Sequence, residues 1–394
     1  MKRINGIGLV LLFAISAQVG FAGEDSKVWR VYNRLRVEWD DNIRQETNDK
    51  DSSFKIIEEI EFDVSLRLGD NTFSSLRYRP SLTWWDDRSE DDSDFHHSLD
   101  FVLKHTLTPQ LSFDLTETFL QTELPELIER GVQVRDSNDY THNTVAGNVH
   151  YKVNTDTALR VAGRHILLRY DDSDVSSRED FDLYVIGLTL AHQWKPGTSL
   201  NGELRYEDVD YDSSVANRGT DGIQVGVRAE HTFSPNLLGD ARLGWQHKEF
   251  DNAAANDAEA PYVDASVTVL PSPSTRLSLG GGFSQHESAV FPFANQERTT
   301  FYARLAHDLT ARVAYYVSGT YVDGEYDSDE AAAGATATTP TNGNEEFFYL
   351  TTKLAYKVNR LNTVEAAWQY TDFQSDFRND FDRSLLNIGW KTKI

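Results

Sequence analysis

The chain contains no cysteine, and this absence removes several kinds of chemistry. Disulfide bonds, thiolate metal sites, a thiol nucleophile and a lipidated N-terminal cysteine are all excluded. Positive charge is scarce too, because 38 Lys and Arg residues stand against 62 Asp and Glu residues, a formal net charge of −24. A chain this acidic would repel a phosphate backbone, which argues against nucleic acid as a partner.

Long hydrophobic runs are absent beyond the N-terminal segment. Nothing after it approaches the roughly 20 consecutive apolar residues that a membrane-spanning helix needs. The segment MKRINGIGLVLLFAISAQVGFA has a positive end at Lys2 and Arg3, an apolar stretch from Ile7 to Ile15, and a small-residue cleavage site ending at Ala22. This pattern predicts a signal peptide over residues 1–22 and one mature domain over residues 23–394. A mature apolar N-terminus is the alternative reading.

What the chain does contain is a period of two. Aromatic residues make up 12% of a chain whose mean hydropathy is −0.51, a combination unlike disorder, in which aromatics are depleted. In FKIIEEIEFDVSLRLGD, residues 54–70, one parity is apolar from Phe54 to Leu68 except for Glu58, and the other is polar from Glu59 to Arg67. Such alternation is typical of a β-strand with one apolar and one polar face. The apolar parity comprises Phe54, Ile56, Ile60, Phe62, Val64, Leu66 and Leu68.

The same alternation recurs almost to the last residue and gives about eighteen strands, many of about 12–16 residues. Short turns such as Thr108-Pro109-Gln110 and Ser234-Pro235-Asn236 alternate with long polar connections such as residues 86–94 and 328–344. We therefore predict an all-β fold, a transmembrane antiparallel up-and-down β-barrel with short periplasmic turns and long extracellular loops. Its place would be the outer membrane of a Gram-negative bacterium, with membrane lipid around it. A soluble β-sandwich and a β-propeller or solenoid are the alternatives.

The polar parity would face the inside of the barrel, and it is rich in arginine. One reading is that cross-strand arginine–carboxylate pairs stiffen a hydrated wall. The other is that guanidinium groups form a ladder of weak sites for a hydrated, anionic polymer. The predicted lumen-lining residues are Arg30, Arg34, Arg36, Glu59, Glu61, Asp63, Arg67, Arg77, Arg79, Asp100, Arg160, Arg164, Glu203, Arg205, Arg228, Glu230, Arg242 and Arg304.

One long connection, residues 124–138, carries apolar side chains among its charges. It would fold into the barrel as a constriction, or else form an ordinary extracellular cap. In the first case the narrowest point would carry Glu126, Glu129, Arg130 and Arg135. The other long loops are acidic, which indicates a solvated rim or, as the alternative, divalent-cation binding without a twelve-residue calcium-loop pattern.

No pattern of catalytic residues stands out, so we predict neither an enzyme nor a cofactor. His96 and His97 lie on opposite faces of a strand and cannot bind one metal ion together. No G-x-S-x-G, H-E-x-x-H or glycine-rich phosphate loop occurs. A serine such as Ser98, Ser284 or Ser318 acting with a histidine and an acid is the alternative, and no spacing supports it.

Several segments resemble a known family. They are the turn-centred stretches HTLTPQLSFDLTET, HTFSPNLLGDARLGWQ and TVLPSPSTRLSLGGGF, and the strand end LRYEDVDYD. In these segments, and in the general sequence pattern over nearly the whole mature chain, the protein resembles the outer-membrane β-barrel porins of exopolysaccharide gene clusters. The resemblance implies a channel for a secreted polysaccharide that works with a periplasmic polysaccharide export protein. It implies no particular site residues.

Three functional hypotheses follow. The first is a monomeric barrel that conducts an exopolysaccharide outward together with the periplasmic export protein. The second is a passive diffusion porin for small hydrophilic solutes. The third is a docking barrel that holds a partner and conducts little.

Overall fold

A computed structural model describes most of the chain. The predicted signal peptide, residues 1–22, lies outside the described residues. The described residues are 28–86, 92–122, 127–128, 132–133, 139–212, 219–251, 257–288, 293, 295–327 and 342–394.

In the described residues, the regular structure consists of eighteen long strands, a small hairpin of two two-residue strands and one short helix. The first ten strands in chain order are β1 (Trp29–Asp40), β2 (Ser53–Leu68), β3 (Thr72–Trp85), β4 (Ser93–Thr106), β5 (Leu111–Thr122), the short β6 (Leu127–Ile128) and β7 (Val132–Gln133), β8 (Tyr140–Lys152), β9 (Thr157–Tyr170) and β10 (Phe181–Lys195). The helix α1 (Ser173–Glu179) lies between β9 and β10. The remaining strands are β11 (Thr198–Tyr211), β12 (Thr220–Ser234), β13 (Leu237–Phe250), β14 (Ala258–Ser272), β15 (Thr275–Glu287), β16 (Asn295–Thr310), β17 (Val313–Asp327), β18 (Asn342–Lys357), β19 (Asn362–Ser375) and β20 (Phe381–Lys393).

The eighteen long strands form one closed antiparallel sheet. Each long strand pairs with the next in the chain, and β5 pairs directly with β8. The last strand, β20, pairs with β1 from Tyr32 opposite Lys393 to Asp40 opposite Leu385. Closure satisfies the hydrogen bonds of both edge strands, which a sheet inside a membrane requires. The predicted barrel and its strand number are confirmed, and the sandwich and the propeller were wrong alternatives.

The apolar parity faces outward. Phe54, Phe62 and Leu66 on β2 are 55%, 43% and 38% exposed, as expected of side chains that meet lipid rather than a packed interior. Carboxyl groups interrupt this face at several positions, two of which are Glu58 and Glu117. Glu58 accepts a hydrogen bond of 2.8 Å from Asn33, and Glu117, directly opposite Phe101, accepts one of 3.4 Å from Asn143. An amide donor on the neighbouring strand therefore offsets part of the cost of each of these two outward carboxyl groups.

Long and short connections alternate, as the sequence predicts, with nine on the extracellular side and eight on the periplasmic side. Two of them escaped the sequence analysis. The turn at Ala311 and Arg312 contains no proline, glycine or asparagine, and the loop 376–380 has only five residues. The first lacks the residues that marked the other short turns, and the second is shorter than the other polar loops, so turn chemistry and loop length were too narrow as criteria.

Three of the periplasmic turns contain β-bulges at an apolar side chain that faces lipid. The strand register shifts between Gln193 and Lys195, between Thr232 and Ser234, and between Asp308 and Thr310. A bulge leaves one residue unpaired, and here that residue continues the outward parity of its strand. The unpaired residues Trp194, Phe233 and Leu309 are 65%, 62% and 53% exposed. The apolar surface thus extends down to the turns themselves.

The helix α1 has an ordinary N-terminal cap. The side chain of Asp172 accepts hydrogen bonds from the backbone N–H groups of Asp174 and Val175. Among the described residues, no helix is long and apolar enough to cross a membrane.

Candidate functional site

The predicted lumen-lining residues occupy the face of the sheet opposite the exposed apolar side chains. On β1 and β2, Arg30 lies directly across from Asp63 and Arg34 directly across from Glu59. Arg30 forms an ion pair with Asp63 at 3.2 Å, and Glu59 lies 3.8 Å from Arg34 and 3.9 Å from Arg36. In this part of the barrel, arginines and carboxylates are paired across neighbouring strands, as in the first of the two interpretations of the inner wall. A role of these residues in transport stays a prediction.

Barrel closure joins these pairs to the last three strands. Arg34 also binds Glu365 on β19, which accepts a second hydrogen bond from Lys353 on β18 at 2.9 Å. Lys391 on β20 lies 3.3 Å from Glu61. Five adjacent strands, β18 to β20 together with β1 and β2, therefore contribute to these charge pairs, and each carboxylate has a cation beside it.

A more deeply buried group of charges lies at the extracellular end of the same strands. Asp40 is fully buried, and it binds Lys55 at 2.9 Å and the Nε of Arg383 at 3.0 Å. Glu38 lies 3.4 Å from the same lysine. The sequence analysis missed this cluster, although its members have inward parity, because Arg383 comes from β20, 343 residues from Asp40.

Ion pairs recur around the wall. Asp100 lies 3.7 Å from Arg77 and 3.1 Å from Arg79. The further pairs are Arg242 with Glu203 at 2.9 Å, Arg228 with Asp240 at 2.7 Å and with Glu230 at 2.9 Å, and Arg205 with the amide oxygen of Gln224 at 3.3 Å. Arg164 is half-buried on β9.

Three inward arginines differ from the rest. Arg160 on β9, Arg276 on β15 and Arg304 on β16 are exposed, and among the described residues none has a carboxylate within ion-pair distance. Arg304 lies over the ring of Tyr302 with 4.7 Å between guanidinium carbon and ring centre. Arg276 lies opposite Ala306 on β16, and Ala306 is the next inward-facing residue after Arg304. Arg67, near the periplasmic end of β2, is exposed as well.

The inner wall becomes apolar toward the extracellular end of β8 to β11. Ile166, Leu183 and Val209 have inward parity and are at most 8% exposed. The sequence analysis expected polar residues there, although the apolar runs ILL and LYVIGL in β9 and β10 do not alternate. A run that is apolar on both faces indicates that both faces are covered.

The helix α1 covers part of this apolar wall. Val175 is 5% exposed and packs against Tyr140, Leu168 and Tyr170, which all face inward. The helix therefore lies against the inner face of β8 and β9 and narrows the bore. The predicted constriction residues Glu126, Glu129, Arg130 and Arg135 lie outside the described residues.

A second apolar cluster lies on β17 to β20 at the same end of the barrel. It comprises Val322, Phe347, Phe373 and Phe381. A separate small cluster at the same end packs Tyr326 of β17 against Phe293 and Phe377 of two loops. The path through the barrel thus runs between packed apolar groups at the extracellular end and charged groups at its middle.

Two tyrosines lie flat on the inner wall over glycines. A Cβ atom on Gly226 or Gly244 would overlap the ring or hydroxyl of Tyr262, and one on Gly280 would lie 2.5 Å from the hydroxyl oxygen of Tyr302. The absence of side chains at these inward positions allows both rings to lie along the sheet rather than across the bore.

A polar cavity of about 390 Å³ opens on the inner wall near the periplasmic end of β10 to β14. Its lining includes carboxylates, hydroxyl groups and one amide. These side chains are Glu230, Asp240, Ser199, Thr232, Ser266, Thr268 and Gln193. Among the described residues, no group of three or more His, Asp or Glu side chains could hold a metal ion.

An apolar exterior around a closed sheet with a polar, ion-paired interior defines the class of outer-membrane β-barrel channels. The chain belongs to one family within it. Residues 169–394, more than half of the chain, match the family described as "Putative beta-barrel porin 2". The protein is therefore an outer-membrane β-barrel porin of a Gram-negative bacterium.

Solved structures of Pseudomonas aeruginosa porins share the fold. OccK2 (OpdF) in complex with glucuronate is 10% identical with a TM-score of 0.51, over 93% of this chain and 98% of that chain. OccK1 (OpdK) is 12% identical with a TM-score of 0.51, over 93% and 99%. OpdQ is 12% identical with a TM-score of 0.50, over 93% and 97%. None of the curated proteins compared matches this chain.

Proposed function

We propose that the protein is a passive diffusion porin for small hydrophilic solutes. The observation that carries this proposal is the inward wall, whose charged side chains are held in pairs across neighbouring strands, as with Arg30–Asp63 and Arg242–Glu203. Paired charges keep the wall hydrated without strongly trapping a solute, which suits transit by diffusion.

Diffusion accounts for the described residues better than the export hypothesis does. Packed apolar groups and α1 narrow the extracellular end, which suits a small solute better than a hydrated polymer. Export of an exopolysaccharide with a periplasmic partner rests on the family resemblance of the sequence alone. A docking barrel would have no need of a charged interior.

The exposed arginines suggest which small solutes pass most readily. A guanidinium group binds a carboxylate through two parallel hydrogen bonds. Arg160, Arg276 and Arg304 have no ion-pair partner among the described residues, so they are available to a passing anion. A porin of the same fold is described in complex with glucuronate and another with vanillate, both carboxylates. We infer a preference for small carboxylates over cations of the same size.

Planar-bilayer recording and vesicle swelling test the proposal. Purified mature protein should open an unassisted, salt-dependent conductance, and vesicles that contain it should swell in small sugars and sugar acids faster than in large ones. A silent bilayer would favour the docking barrel. Loss of extracellular polysaccharide on gene deletion, with unchanged uptake of small solutes, would favour export.

A further inference from the structure

Four threonine–histidine pairs of the same geometry occur on the outer surface of the barrel. In each pair the hydroxyl oxygen lies within hydrogen-bond distance of the Nδ1 atom of the imidazole. The pairs are Thr72–His105 at 2.7 Å, Thr157–His192 at 3.1 Å, Thr198–His231 at 2.7 Å and Thr275–His307 at 2.8 Å.

All four pairs occupy the same place in the fold. Each threonine is the first residue of a strand, namely β3, β9, β11 and β15, and its histidine lies directly opposite near the end of the next strand. Both residues are therefore at the periplasmic end. Each histidine lies two positions from an outward apolar residue on its own strand, so the imidazole faces lipid. These neighbours are Leu103, Leu190, Ala229 and Leu305.

A short sequence pattern accompanies the geometry. Two residues after each histidine comes a large apolar side chain at the turn, and all four are more than half exposed: Leu107, Trp194, Phe233 and Leu309. At a rise of ~3.3 Å per residue and a strand tilt of ~40°, the imidazoles lie ~5 Å closer to the membrane centre than these side chains. The histidines are thus at the edge of the hydrocarbon rather than in bulk water.

Either the threonine hydroxyl or the imidazole can donate this hydrogen bond, and its direction sets which ring nitrogen carries the proton. If the hydroxyl group donates to Nδ1, the neutral ring keeps its proton on Nε2. The Nε2 atom has no partner among the described residues in any of the four pairs. An N–H group left without an acceptor at this depth is unfavourable. The nearest acceptors are the ester carbonyl oxygens that join the acyl chains to glycerol in the periplasmic leaflet.

We propose that these four pairs form a lipid-binding site, which we call the Thr–His collar. In it, each Nε2–H group donates a hydrogen bond to an acyl-ester carbonyl oxygen of a periplasmic-leaflet phospholipid. Four such contacts around the circumference fix the depth of the barrel in the membrane. The collar is independent of the proposed transport function, because it lies on the outer surface.

Ester and ether phospholipids with the same headgroup provide the test. The full mature protein is reconstituted in vesicles of dioleoyl phosphatidylcholine or of its dialkyl ether analogue, and its unfolding by urea is measured. The folding equilibrium constant of the native protein should be lower in the ether lipid by about fivefold for each pair. Equal stability in the two lipids would overturn the proposal and would indicate that phosphate or water is the acceptor.

Histidine variants separate the collar from general lipid effects. The variant H105F/H192F/H231F/H307F should have the same stability in both lipids, whereas H150F should keep the native difference. His150 is the matched control, because it lies at the same end but faces the lumen, where it binds Asp114 at 3.0 Å. A variant without the four histidines that still distinguished the lipids would refute the assignment.

A measurement on the native protein covers the case in which the fourfold variant does not fold. Nitrogen-15 solid-state NMR of labelled histidine should show the collar rings protonated on Nε2, within dipolar contact of carbon-13 in the labelled ester carbonyl. Rings protonated on Nδ1, or without that contact, would overturn the proposal.

Discussion

The extracellular and periplasmic ends of the barrel are built differently. The nine loops carry twenty-six acidic and eight basic residues, whereas the eight turns carry two of each, so much of the negative charge of the chain lies at one end. Outward tyrosines near the extracellular end bind carboxylates, as Tyr321 does with Glu346 at 3.0 Å. At the periplasmic end, the outward-facing polar pairs are the Thr–His pairs instead.

The interior follows the same division. At the extracellular end lie the apolar clusters and the buried charges of Asp40, Lys55 and Arg383. Toward the periplasm the wall is wetter, and it includes arginines without an ion-pair partner among the described residues. The comparison indicates that the extracellular end is the rigid part of the barrel and that solutes contact the wall closer to the periplasm. Four sets of substitutions test this difference.

The largest effect should come from the buried charges at the extracellular end. Arg383→Ala removes a cation from Asp40 and leaves a fully buried carboxylate with less compensation. We expect a loss of about 3–5 kcal/mol in the free energy of unfolding, measured by urea titration in vesicles. Arg30→Ala is the matched change toward the periplasm, where the pair with Asp63 is more hydrated, and should cost only about 1 kcal/mol. Equal losses would show that the two ends do not differ in rigidity.

The second effect concerns the constriction. Val175→Asp places a charge among Tyr140, Leu168 and Tyr170 and should release α1 from the inner wall. Single-channel conductance should then rise by roughly half or more, because the bore loses an obstruction while the barrel remains closed. Ser173→Asp adds the same charge at an exposed position of the helix and should leave the conductance unchanged. A conductance unaffected by Val175→Asp would mean that α1 does not limit the bore.

The third effect concerns ion selectivity toward the periplasm. Arg276→Ser combined with Arg304→Ser removes two cations and should shift the reversal potential in a salt gradient toward cation preference. Arg242→Ser combined with Glu203→Ser deletes a paired cation and anion, so net charge is kept and the reversal potential should change little. If both double variants have the same reversal potential, the exposed arginines do not determine the electrostatic potential inside the barrel.

The smallest effect should come from the wall between the two ends. Gly226→Ala introduces a methyl group where the hydroxyl of Tyr262 lies, and should tilt that ring into the bore. Conductance should fall by roughly a tenth to a third, because one ring now lies across the path. Adding Tyr262→Ala to the same protein should restore it. Failure of that second change to restore conductance would place the cause in the sheet rather than in the ring.

Much of the fold followed from the sequence, because the period of two is a local property of each strand. The outward positions of Phe54 and Phe62, the antiparallel barrel and the number of strands all follow from it. The apolar inner positions Ile166 and Leu183 did not, because alternation alone cannot reveal that a helix will cover the inner face. The Thr–His pairs escaped notice because threonine and histidine are 32 to 35 residues apart in each case.

The sequence by itself determined which side chains face lipid and which face the interior, because the direction of a side chain follows its parity along an extended strand. Only the tertiary structure decided which charges neutralise one another. Arg34 finds Glu365, 331 residues away, because β20 closes against β1 and brings β19 within reach. Such a contact depends on strand register and closure, which are properties of the whole sheet rather than of any segment.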